Sequence, residues 1–185
     1  MRISLIGLSL GLMICSSATA QMPDMGKMTM ASPMTTTIKS TDGSAIGTLT
    51  LTGAASGVLL QIDITTGLTP GWHGMHFHQT GDCSDAKFMN TGSHMNHAEA
   101  KKPHGLLNPA GPDFGDLVNI YAAADGSAHA QAFTELVRLD PGSGLAGQVL
   151  RDGDGSALVI HANPDDHMTQ PIGGSGPRVA CAVIK

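Results

Sequence analysis

Over residues 57–66 the chain alternates: Val58, Leu60, Ile62 and Ile64 are separated by Leu59, Gln61, Asp63 and Thr65. Period 2 places the first set on one face of a pleated strand, where it forms a wholly apolar surface, and the second set on the other. Further stretches of strand character recur over 34–39, 45–51, 75–78, 118–123, 128–139, 157–161 and 179–184. Between them stand Asp42-Gly43, Asp125-Gly126 and Asp154-Gly155, dipeptides that turn a chain tightly because glycine accepts positive φ. No helical period of useful length interrupts the series. Seven or eight short strands predict an all-β domain, an eight-stranded barrel or sandwich. Two stretches, 79–117 and 162–178, are too long for hairpin turns and are expected to be functional loops.

The first twenty residues read differently. Arg2 precedes an apolar run from Ile3 to Ile14, and small residues lead to Ala18-Thr19-Ala20 before Gln21. This is the layout of a cleaved signal peptide, and the run is shorter than the roughly 20 residues a bilayer crossing needs. A competing reading takes Leu12-Met13-Ile14-Cys15 as a lipid-attachment site, but Ile14 stands where a small residue is wanted. Residues 21–33 follow, carrying Met22, Met25, Met28 and Met30 without an apolar period; we expect a mobile tail ahead of one domain over 34–185. Cleavage removes one of ten cations and none of fifteen acids, taking the net charge from −5 to −6. A chain so charged is unsuited to nucleic acid or to an anionic membrane surface. The periplasm is the expected destination, with secretion as the alternative.

Cleavage also discards Cys15 and leaves Cys83 and Cys181. In an oxidising compartment two cysteines are either one disulfide or two buried thiols. A bond between them would close a loop of 98 positions, for which chain entropy gives about 4 to 5 kcal/mol.

His76-Phe77-His78 lies in a predicted strand, so both imidazoles project to one side, about 7 Å apart along the backbone. Two rings on one face can chelate one metal ion. His94, His104 and His161, with Asp113 and Asp116, add further donors. Imidazole suits copper and zinc, whereas carboxylate suits zinc and disfavours Cu(I). A mixed set therefore predicts two unlike sites.

The run Gly71-Trp72-His73-Gly74-Met75-His76-Phe77-His78, then Gly81-Asp82-Cys83, resembles the signature of the copper/zinc superoxide dismutases. The resemblance continues in order through Gly92-Ser93-His94, His104-Gly105, Gly115-Asp116-Leu117, Leu158-Val159-Ile160-His161 and Gly176-Pro177-Arg178-Val179-Ala180-Cys181. It implies a Greek-key barrel. It implies dismutation of superoxide to dioxygen and hydrogen peroxide, with copper alternating between Cu(II) and Cu(I) and zinc unchanged. By the same resemblance His76, His78, His94 and His161 are copper ligands, and His94 bridges to a zinc ion also held by His104, Asp113 and Asp116. The resemblance further assigns Cys83 and Cys181 to a disulfide, Arg178 to reception of the superoxide anion, and His94 to proton transfer. Asp165 falls on a residue that joins a copper ligand to a zinc ligand, and His73 on a supporting position.

Asp113 departs from the family pattern, which has a third zinc histidine there. Two carboxylates make the zinc site more anionic than usual, and His97 is an alternative fourth ligand. His129 and His167 are expected to be scaffold, and Trp72 and Met75 to pack. Two rival readings are a copper carrier using the Met-rich tail, since thioethers favour Cu(I), and an enzyme using copper alone. A homodimer is one assembly open to such a chain.

Overall fold

The computed structural model describes residues 32–99, 101–141 and 147–185. The expected signal peptide (1–20) and all but the end of the Met-rich tail (21–33) lie outside the described residues. Eleven strands follow in order: β1 (Met34–Ser40), β2 (Ala45–Gly53), β3 (Val58–Ile64), β4 (Gly71–His73), β5 (Met75–His78), β6 (Ile120–Ala122), β7 (Ala128–Thr134), β8 (Val137–Arg138), β9 (Gln148–Val149), β10 (Ser156–His161) and β11 (Arg178–Ile184). Seven form an antiparallel sheet in the order β5-β10-β11-β1-β2-β3-β7, and β4 pairs with β6. Counting β4 and β5 as one strand interrupted at Gly74, eight strands wall a single core, as in a Greek-key barrel. Among the described residues no helix is long and apolar enough to cross a membrane.

Alternation carries the core. Val58, Leu60, Ile62 and Ile64 of β3 are fully buried, while Leu59 and Gln61 face outward. Each such side chain contributes roughly 1.5–3 kcal/mol of transfer free energy. The three Asp-Gly turns place Gly43, Gly126 and Gly155 at positive φ. The expected strand over 128–139 instead breaks after Thr134, and its last part, β8, pairs in parallel with β9. The stretch 118–123 contributes only Ile120–Ala122.

β10 is buried on both faces. Leu158 and Ile160 enter the main core, whereas Ala157 and Val159 join Phe88, Cys83 and Cys181 in a smaller cluster. The disulfide between Cys83 and Cys181 lies there and ties the loop after β5 to β11. At the far end of the β10–β11 ladder a bulge changes the register: Ile160 faces Ala180, but His161 faces Arg178 rather than Val179.

Candidate metal centre

β5 alternates as H-x-H requires. Met75 and Phe77 enter the core, and His76 and His78 project together from the other face, both almost fully buried. Two loop segments pair against this short strand. Asp116 bridges to His76 and His94 to His78, while Phe77 N–H donates to Gly115 O and Met95 N–H to Phe77 O. His161 arrives from the end of β10. The result brings His76, His78, His94 and His161 together, each offering a ligand atom within 4.8 Å of the others.

Each ring is held by its other nitrogen. His76 Nε2–H donates to Asp165 Oδ2 at 2.8 Å, His78 Nδ1–H to Gly92 O at 2.9 Å, and His161 Nδ1–H to Gly176 O at 2.9 Å. An acceptor on one ring nitrogen fixes the proton there and leaves the other nitrogen as a lone pair. Those remaining atoms, His76 Nδ1, His78 Nε2 and His161 Nε2, are buried without a hydrogen-bond partner, as is His94 Nε2. Four converging unsatisfied imidazole nitrogens fit a copper ion. Burial lowers the His76 value to about 3, against the opposing bond to Asp165, and that of His161 to about 4; burial also lowers His78 well below the ordinary histidine value. These rings are neutral at neutral pH, the form a metal needs.

A second group adjoins the first. His76, His94, His104 and Asp116 also offer atoms within 4.8 Å of one another. His76 Nε2 is already committed to Asp165, so its free nitrogen belongs with the first group. His104 Nε2–H donates to Asp165 Oδ1 at 3.0 Å. Its Nδ1 lies close against Asp116 Oδ1, yet both atoms lack a hydrogen-bond partner: they converge without the alignment of a bond, as two donors to one cation would. Burial disfavours charge on His104, but Asp116 and Asp165 on its two sides outweigh it and raise its value to about 10. Asp116 is held below the ordinary carboxylate value by the adjoining His104 ring and by bonds from the Gly105 and Asp113 amides, against the effect of burial.

Asp113 lies outside that second group of four. Its Oδ2 is 3.2 Å from His94 Nδ1, the face of the ring turned away from the copper-fitting atoms, and its Oδ1 accepts the Gly115 amide. Asp116 Oδ1 is 4.0 Å from the same His94 nitrogen. His97 is in neither group; its ring stacks on Phe114 at 3.8 Å. His129 pairs with Asp63 on the exposed barrel surface. His73 is buried with both ring nitrogens on carbonyl oxygens, one of them that of His161. Trp72, expected to pack, is 55% exposed, its ring edge-on to Tyr121 across the β4–β6 pair.

Asp165 spans the two groups, one oxygen on each. The space it occupies exists because residue 173 has no side chain: a Cβ on Gly173 would fall 1.6 Å from Asp165 Oδ1. Burial alone would raise Asp165, but the bonds from His104 and His76 hold it well below the usual carboxylate range.

A cavity of about 1260 Å³ opens onto His78, His94 and His161 and is lined also by Lys87, Lys101, Lys102 and Arg178. Arg178 donates through Nη1 to Phe88 O and Thr91 Oγ1 and through Nη2 to Gly92 O. Three of its five donors are spent on the disulfide-anchored loop, leaving two unspent. Burial lowers its value somewhat, with Asp85 opposing. Sequence reasoning had no means of finding the carbonyls of Gly92 and Gly176 that orient two rings, because a carbonyl carries no residue signature. The three lysines were visible as residues but not as neighbours.

The family description copper/zinc superoxide dismutase matches residues 45–184. The chain is 53% identical over 151 residues to the copper/zinc superoxide dismutase of Caulobacter vibrioides, covering 82% of this chain and 84% of that one. It is 38% identical over 146 residues to superoxide dismutase [Cu-Zn] 2 of Aquifex aeolicus, covering 78% and 82%. Among solved structures, a superoxide dismutase-like protein from Bacillus subtilis superposes with a TM-score of 0.74 at 30% identity, covering 82% of this chain and 97% of that one. The Cu/Zn superoxide dismutase of Brucella abortus superposes with a TM-score of 0.61 at 26% identity, covering 83% and 99%. With the family pattern matched over residues 45–184 and 53% identity to a relative over 151 residues, this chain belongs to the copper/zinc superoxide dismutases.

Proposed function

We propose that the chain dismutes superoxide to dioxygen and hydrogen peroxide, with copper held by His76, His78, His94 and His161 and zinc by His94, His104, Asp113 and Asp116. The observation that carries the reading is the set of four buried imidazole nitrogens, each bare because the opposite nitrogen or the ring's own setting leaves it so. When bound, copper supplies the one-electron exchange; zinc supplies a fixed positive charge.

The chain's own residues do the rest. Arg178 and the lysines at the cavity offset a negative net charge and draw a small anion inward. Arg178, with two donors unspent, orients that anion beside the histidines. His94 has a nitrogen on each side, so it can hold a proton on Nε2 and return it to the reduced oxygen species. Asp165 keeps His76 and His104 in the tautomers whose Nδ1 atoms face the ions.

Export through the segment 1–20 to the periplasm, and a homodimer through the exposed Trp72, Val118 and Tyr121, complete the proposal; the exposure of these three side chains supports the latter. The test is metal content together with a superoxide assay before and after chelation of copper. One copper and one zinc per chain with activity lost on copper removal is expected. Copper binding without turnover would favour a carrier, and activity with copper and no zinc would favour the copper-only reading.

A further inference from the structure

The carboxylate of Asp165 has a third imidazole beside it, that of His167. Residue 167 adopts φ +61, in the left-handed region. That turn folds its backbone N–H onto Asp165 Oδ1 at 2.7 Å and brings its ring Nδ1 to 3.5 Å from Asp165 Oδ2. Oδ1 therefore faces His104 and the His167 amide, while Oδ2 faces His76 and the His167 ring.

Asn119 decides where the proton on that ring sits. Asp165 N–H donates to Asn119 Oδ1 at 2.9 Å, and Asn119 Nδ2 donates to Asp165 O at 2.8 Å. These two bonds leave the amide only one orientation. Its Nδ2 is also 3.3 Å from His167 Nε2, so in the neutral ring Nε2 accepts and Nδ1 carries the hydrogen. That Nδ1 is buried and has no hydrogen-bond partner; the acceptor it faces is Asp165 Oδ2. The contact is too long for a hydrogen bond, but it sets an N–H dipole against the carboxylate in a buried place, where such a dipole is weakly screened.

We propose that His167, oriented by Asn119, is a positioning residue that draws part of the Asp165 charge away from His76 and His104 and so tunes the donor strength of both. Outer partners of ligating histidines raise ligand basicity. A dipole competing for the same carboxylate restrains that effect, and here one residue does so on both oxygens. This rests on His76 and His104 being metal ligands.

The test uses the copper- and zinc-loaded protein, reduced so that it is diamagnetic. Long-range 15N–1H NMR should find His167 protonated on Nδ1 and bare on Nε2; the opposite tautomer overturns the proposal without any substitution. His167→Gly removes the ring yet suits a left-handed backbone and keeps the amide on Oδ1. His167→Asn also suits that backbone and returns a side-chain donor near the position of Nδ1. In the glycine variant the Nε2–H resonances of His76 and His104 should move downfield. The preference for Cu(II) over Cu(I) should rise about tenfold, equivalent to about 59 mV for a one-electron couple. The asparagine variant should lie close to the parent. Unmoved resonances and potential in the glycine variant, or equal shifts in both variants, would overturn the proposal. A parent protein that takes up neither metal defeats the ligand assignment itself, whereas one that takes up both with the wrong His167 tautomer defeats only this inference.

Discussion

The two halves of the metal centre share His94 and handle charge in opposite ways. On one side His76, His78 and His161 are neutral rings, with values pressed to about 3 for His76 and about 4 for His161 by burial, and each is pinned by an acceptor on its far nitrogen. On the other side His104 stands between Asp116 and Asp165 and holds its proton to about 10. The first half is a preorganised set of lone pairs that a metal can enter without displacing a proton from these three rings. The second must give up a proton to admit its ion, and Asp113 adds another carboxylate beside His94. Burial wins at His78 and His161, whose partners are carbonyls, and at His76 even against the single carboxylate of Asp165; ion pairing wins at His104, which stands between two carboxylates.

Removing a donor from the first half should break the comparison most sharply. His78→Ala should lose copper and lower dismutase activity by more than about 100-fold, beyond the cost of an outer partner, as read by copper content and a superoxide assay. An active variant would mean that the four nitrogens do not act as one site.

The contrast in protonation has a direct readout in titrations of metal-free protein. Zinc affinity should climb about tenfold per pH unit as one proton is displaced from His104, levelling near pH 10. Occupancy of the copper half should not fall through protonation of His161 and His76 until about pH 4 and about pH 3. The stability of metal-free protein follows the same division. His104, raised in the fold, contributes stability that is fully present below the ordinary value of 6.5 and lost as pH rises through about 10. His161 and His76, lowered in the fold, do the reverse: their contribution is present above 6.5 and lost as pH falls toward about 4 for His161 and about 3 for His76, because the unfolded chain takes protons that the folded chain refuses. Equal pH slopes for the two metals would erase the distinction.

Asp113→Ala sharpens the comparison from the zinc side. If Asp113 is a ligand, its loss should weaken zinc binding by at least the roughly 10- to 100-fold that an outer partner costs and leave copper affinity much closer to the parent, measured by competition with a chelator. Unchanged zinc affinity would make Asp113 only an acceptor for His94. The smallest effect belongs to the cavity mouth: replacing Lys87, Lys101 and Lys102 together by Gln should slow the reaction on the order of 10-fold at low salt and flatten its ionic-strength dependence. A salt response equal to that of the parent would leave Arg178 and the metal as the whole attractive field.

How much of this was legible depends on the kind of signal. The β3 alternation and the Asp-Gly turns marked strands and hairpins correctly because burial of one pleated face is a local property. The break after Thr134 and the parallel β8–β9 pair were not legible, since they depend on a partner at 148–149. His76 and His78 follow from strand geometry together with the family pattern, whereas the roles of His94, His104 and His161 rest mainly on the family pattern. Trp72, expected to pack, is exposed instead on an outward position of a two-stranded edge, a fact fixed by its pairing with Tyr121.

The amino-acid sequence by itself determined the strand alternation, the residue types able to hold copper and zinc, and the pair of cysteines, since each is carried by residues one to a few positions apart or by simple count. The tertiary structure alone decided which nitrogen of each ring is bare. That choice belongs to acceptors drawn from far along the chain: Gly92 for His78, Gly176 for His161, and Asp165, 89 positions from His76 and 61 from His104. It also decided that Arg178 faces His161, through a bulge that shifts the register by one residue. A proton's place on an imidazole is set by the group opposite it in space, and only the closed barrel brings that group there.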